Sequence, residues 1–222
     1  MSDECCEWLE KVTASVKEHS PSFCVIAGDL TDTAPPKYMD AVRSIFSGLN
    51  CPLHVQIGNH DYLSSSDRSS FSDVFPNSLN YFFTTGGWQC LALDTTDGMR
   101  FENTNISQDT LRWVDSTLPR LSKSAPLIIF THFPLGRDVI YRPRNADALL
   151  ERFLEYNLQA VYSGHYHGFT ERKKGASVLT TNVCCALKRN NHDGSSAKGY
   201  FLCSTDEGSV SRRFVEITVP KA

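Results

Sequence analysis

Up to residue 168, short apolar runs that end in glycine or a polar residue alternate with amphipathic stretches. Residues 4–19 predict a helix with Trp8, Val12 and Val16 on one face. The run "FCVIAGD" then reads as a buried strand, and residues 36–48 as a helix with Tyr38, Val42, Ile45 and Phe46 on one side. "LHVQIGNHD" is a second strand closed by a glycine turn, and the Ser-rich stretch 64–72 reads as a loop. "YFFTT" and "WQCLALD" are two strands joined by Gly86-Gly87, a hairpin signal. Residues 107–121 predict a helix capped by Ser107, with Leu111, Val114, Leu118 and Leu121 as its apolar stripe. "PLIIFTH" is a third buried strand, 146–156 a further helix and "LQAVYSGHYH" a fourth strand.

Beyond residue 168 the helical period disappears. "FTERKKG", "ASVLTTN", "GYFLCST" and "SVSRRFVEITV" read as consecutive strands, with a Gly/Asn/Ser-rich loop at 188–199. Strand–helix alternation followed by strands predicts an α/β protein with mixed sheets inside and helices on the outer faces. No repeat or low-complexity tract divides the chain, so residues 1–222 are expected to form a single domain.

Composition narrows the function. A net charge of −3 leaves no basic footprint for nucleic acid or an anionic membrane. It leaves room for a phosphate substrate, because bound metal ions can supply positive charge. No apolar run approaches the ~18 residues of a membrane span. The N-terminal "MSDECCEWLEK" lacks the parts of a signal peptide, and the scattered cysteines suit a reducing compartment. A cytoplasmic location is the expectation from these features.

The candidate chemistry lies where the apolar runs stop. "VIAG" leads into Asp29, "VQIG" into Asn59, "IIFT" into His132 and "VYSG" into His165. Sites in open α/β sheets form beyond the carboxyl ends of strands, and three of these residues follow a glycine, which permits a sharp turn. A carboxylate, an amide oxygen and imidazoles form a mixed N/O set suited to Mn, Fe or Zn rather than Ca or Mg. His167 stands two residues past His165 in "GHYHG".

Taken in order, "GDLTD" at 28–32, "GNHD" at 58–61, "TH" at 131–132 and "GHYH" at 164–167 resemble the calcineurin-like metallophosphoesterases. "LALDTTDG…ISQDTLRWVDSTL" is most similar to their cyclic-nucleotide-phosphodiesterase-like branch. The resemblance implies a four-layer α/β/β/α sandwich of two mixed sheets flanked by helices. It also implies a metal-dependent phosphoric ester hydrolase, acting as phosphodiesterase or phosphomonoesterase, in which a metal-activated hydroxide attacks phosphorus. On it, Asp29 is the bridging carboxylate, Asn59, His132 and His165 complete one metal centre with it, and His167 serves the other. His60 would assist the leaving group, with Asp32 as the carboxylate that pairs with its ring.

The family opens with a strand carrying Asp-x-His, both ligands of its first metal centre, and this chain has no such motif. The sequence is therefore expected to lack the first strand of the fold, leaving Asp29 and His167 for that centre and possession of a single ion as an alternative to two. A non-catalytic protein of this fold, serving as a binding or scaffold module, is the rival reading. As substrate, a small phosphate ester or a phosphoprotein is expected, with no nucleic acid and no membrane.

Overall fold

The computed structural model describes residues 3–219. Helix α1 (Asp3–Glu18) leads to strand β1 (Cys24–Ile26), helix α2 (Pro36–Ser47) and strand β2 (Leu53–Val55). Helix α3 (Ser69–Val74), hairpin β3 (Tyr81–Thr85) and β4 (Trp88–Leu93), and helix α4 (Gln108–Thr117) follow. Then come β5 (Leu127–Thr131), α5 (Ala146–Glu151), β6 (Leu158–Ser163), β7 (Thr170–Lys174) and β8 (Ser177–Thr181), with the hairpin β9 (Gly199–Asp206) and β10 (Ser209–Glu216) last. No helix of the described residues is long and apolar enough to cross a membrane.

A six-stranded mixed sheet in the order β3-β4-β5-β6-β8-β7 forms the centre. Its inner strands β4, β5, β6 and β8 run parallel, while β3 and β7 are antiparallel edges. Strands buried on both faces need continuous apolar runs, which β4 and β5 supply. On one face, α4 and α5 cover Leu91, Leu127, Ile129 and Val161. On the other, Cys90, Ile128 and Phe130 meet Phe23 and Val25 from the β1 layer. A third apolar cluster joins Trp8 and Val12 of α1, Met39 and Val42 of α2 and Phe71 of α3 to Ile57. The layers are thus helix, strand, strand, helix.

The second sheet departs from the expected single mixed sheet. Strands β1 and β2 form a parallel pair and β9 and β10 a separate antiparallel one. Among the described residues no strand hydrogen-bonds the two pairs together, and β1 pairs with β2 alone.

Two local differences have simple causes. The stretch read as a Ser-rich loop contains α3, anchored by Phe71 and Val74, with Asp67 Oδ1 accepting the Ser69 amide at 2.9 Å. The helix expected over 146–156 ends at Glu151. Its last turns open so that the Asn157 carbonyl can accept from Leu127 N–H at 2.9 Å and begin β6 beside β5.

Candidate metal centre

The carboxyl ends of β1, β2, β5 and β6 point to one place, and each delivers a donor there. Asp29 follows β1, Asn59 follows β2, His132 follows β5 and His165 follows β6. His132 Nε2 lies 3.3 Å from Asp29 Oδ1, 3.2 Å from Asn59 Oδ1 and 3.1 Å from His165 Nδ1. One ligand atom from each of Asp29, His132 and His165 falls within 4.8 Å of the others, in a geometry able to hold an ion.

Such close approach of four loops depends on small residues. A side chain on Gly28, which has φ +86°, would collide with the His132 ring, and one on Gly58 with the Asp29 carboxylate. Asp29 and His165 themselves have φ of 54° and 60°, left-handed values that cost non-glycine residues energy and concentrate at functional sites. Asp61 fastens the two loops that carry Asp29 and Asn59. It is fully buried and accepts from Gly58 N–H at 2.8 Å and Thr31 N–H at 3.2 Å. Burial, and then the nearby Asp29 charge, push its pKa up. Residue type and spacing point to this role only through the position of Asp61 in "GNHD".

Hydrogen bonds fix the tautomers of both histidines. His132 Nδ1 donates to the Ala27 carbonyl at 2.7 Å, and His165 Nε2 donates to the Phe101 carbonyl at 2.8 Å. In the neutral rings, the facing His132 Nε2 and His165 Nδ1 then carry lone pairs. These meet the Asn59 carbonyl oxygen and the Asp29 carboxylate, so four acceptors converge with no donor among them. Only a proton or a cation reconciles them. Burial opposes charge on His132, but the adjacent Asp29 carboxylate outweighs it and raises the pKa. Burial likewise pushes Asp29 up, and His132 reverses the effect to hold it low. His165 is kept neutral: burial, then His132, lower its pKa to about 3. Neutral imidazoles anchored through their second nitrogen are the form that binds transition metals. The donor set therefore fits a transition-metal ion.

His60 stands at the rim. Its backbone N–H donates to Asp29 Oδ1 at 3.0 Å, and its ring Nδ1 donates to the backbone carbonyl of Asp32 at 3.0 Å. The Asp32 carboxylate, expected to hold that ring, lies 3.8 Å away, is 70% exposed and is ion-paired with Arg189. Thus Asp32 orients His60 chiefly through its main chain. His167 is outside the four-donor group and faces His192, with ring centroids 5.6 Å apart. Arg142 and Arg144, both near His132 in sequence, are occupied by Asp147 and Asn103.

A crevice at the ends of parallel strands, with a mixed N/O donor set and a rim histidine, defines a metal-dependent hydrolase-like site on an α/β/β/α frame. The family model for calcineurin-like phosphoesterases matches residues 3–169, and the chain belongs to that family. It is 27% identical to a probable cyclic nucleotide phosphodiesterase of Synechococcus, over 78% of this chain and 68% of that protein. It is 26% identical to the serine/threonine-protein phosphatase CPPED1 of Mus musculus, over 78% of this chain and 62% of that one. Of two further phosphodiesterase relatives it spans 48% and 57% of the length. A solved dimetal phosphatase from Danio rerio has the same fold, with a TM-score of 0.73 at 16% identity, over 97% of this chain and 89% of that one.

Proposed function

We propose that this chain is a metal-dependent phosphoric ester hydrolase acting on a small phosphodiester or phosphomonoester, with a phosphorylated side chain as one form of the latter. The observation that carries this reading is the convergence of Asp29, Asn59, His132 and His165 as four acceptors around one point. An ion bound there supplies Lewis-acid polarisation of a phosphoryl oxygen.

The chain's own residues supply the remainder. Asp29, His132 and His165 hold the ion in a site whose ring orientations are set before it arrives, by the Ala27 and Phe101 carbonyls. Asp61 fixes the spacing between the Asp29 and Asn59 loops. His60 is the candidate catalytic residue. With Nδ1 held by the Asp32 carbonyl, its Nε2 is the nitrogen free to pass a proton to the leaving ester oxygen.

The test is turnover of p-nitrophenyl phosphate and bis(p-nitrophenyl) phosphate by the manganese- or zinc-loaded protein, with His60→Asn alongside. Hydrolysis that falls steeply in His60→Asn while metal content is kept supports the reading. A loaded protein that turns over neither ester contradicts it and favours a non-catalytic binding role.

A further inference from the structure

A second pair of imidazoles lies beside the four-donor set, and half of it comes from a loop with no strand-end signal. His192 belongs to the loop that links β8 to β9, and it is exposed. Three contacts press this loop onto the "GHYHG" turn. His192 N–H donates to the His167 carbonyl at 2.9 Å, Phe169 N–H donates to Asp193 Oδ2 at 3.0 Å, and Asp193 Cβ lies 3.2 Å from where a Cβ on Gly168 would sit. Inside the loop, the buried Lys198 ammonium donates to Asn191 Oδ1 at 3.1 Å and to the Arg189 carbonyl. Asn191 in turn donates to the Ala197 carbonyl at 2.7 Å. The backbone on either side of His192 is thus fixed, and its ring is placed by that frame.

The ring spacing suits shared ligation. Two imidazoles bound to one ion at about 2.1 Å, with an interligand angle near tetrahedral, have ring centroids about 5 Å apart. The His132–His165 pair of the four-donor site shows 5.0 Å, and His167–His192 shows 5.6 Å. Tyr166 stacks on His192 at 5.7 Å and Tyr141 meets it edge-on at 5.8 Å, so two aromatic walls limit its rotation. Tyr141 also meets His165 edge-on at 5.1 Å, which ties the two histidine pairs into one assembly. Tyr141 has φ 70° and His167 φ 52°, backbone values that a bulky or ring side chain adopts only where surrounding structure imposes them.

We propose that His192 is a metal ligand, forming with His167 a two-imidazole site for a second transition-metal ion next to the four-donor centre. The proposal rests on reading Asp29, Asn59, His132 and His165 as a metal centre, and it adds a ligand from outside that set. The nearby Asp29 carboxylate favours a cation beside His167, whereas the Lys198 ammonium opposes one. With two side-chain nitrogens and a repelling lysine, this second site binds its ion more weakly than the four-donor site does.

Zinc titration of the full chain by calorimetry, with metal content measured after gel filtration, tests the proposal. The wild type is expected to show a tight ion and a second one at least tenfold weaker. His192→Ala and His167→Ala are each expected to weaken the second ion a further tenfold or more and to spare the first, whereas His165→Ala removes the tight ion. His192 is exposed, so its removal leaves the fold intact, which circular dichroism checks. A second ion that binds equally well in His192→Ala overturns the proposal, as does a wild type that takes up one ion only, and both results leave the four-donor centre standing. Absence of any bound ion overturns that centre and this proposal together.

Discussion

Two groups of polar residues share the same crevice and are built in opposite ways. The strand-end set is held by main chain: His132 and Asn59 are 1% and 4% exposed, and backbone carbonyls fix the His132 and His165 rings. The rim set of Asp32, His60, Arg189 and His192 sits on loops, with Asp32 70% exposed and joined to Arg189 by a surface ion pair. Burial decides what each group can do. Lone pairs that cannot reach water must be satisfied by a proton or an ion, so they are costly to leave empty. Rim groups can exchange partners with solvent, which suits residues that must meet a substrate.

Substitutions should separate the two groups in order of effect. His132→Ala removes the atom on which the other three donors converge. It should abolish retention of the tight ion and with it ester hydrolysis, as read by metal content and turnover. His60→Asn should keep the ion and lower turnover by about 10²–10⁴-fold, the usual range for a lost proton donor. Equal metal loss in both variants would erase the distinction between strand ends and rim.

Asp61→Ala acts on stability. It strands the Gly58 and Thr31 amides inside the protein, at about 1–3 kcal/mol for each left unpaired, measured by denaturant unfolding of the metal-free chain. Protonation gives a finer probe. The folded-state pKa of His165 is lowered to about 3, against ~6.5 for an unfolded histidine. Between those values the unfolded chain binds more protons, so this residue makes stability fall as pH falls. His165→Gln should therefore flatten the acid limb of the metal-free protein by up to about 1.4 kcal/mol per pH unit. His132, whose pKa is raised, works in the opposite sense. The smallest effect belongs to Asp32→Ala. The carbonyl that holds His60 stays in place, so turnover should change by less than about threefold, in keeping with the weakness of surface ion pairs. A hundredfold loss would show that the carboxylate, and not the main chain, governs His60.

The same contrast explains what could be read from the residues alone. Strand-end donors were legible because an apolar run that stops at Gly-Asp, Gly-Asn or Gly-His fixes both burial and direction. The β3–β4 hairpin at Gly86-Gly87 and the Ser107 cap were legible for similar local reasons, and the cap is seen as Ser107 Oγ accepting from Thr110 N–H at 3.1 Å. Helix α3 was missed because its six residues carry only two apolar anchors, too few to set a period. The Ala27 and Phe101 carbonyls that orient the histidines carry no residue-type signal, since any amino acid supplies a carbonyl. His192 lay in a Gly/Asn/Ser-rich loop with no periodicity, and its closeness to His167 arises from long-range docking. The division of the second sheet into two strand pairs likewise depends on pairing, which periodicity within a strand does not specify.

X-ray absorption at the zinc edge of the full chain, loaded with one equivalent of zinc, tests the four-donor centre most directly. The four-donor centre predicts a first shell of two imidazoles and oxygen donors at about 2.0–2.2 Å with no sulfur. A shell containing sulfur at about 2.3 Å, or a chain that retains no zinc, would contradict it.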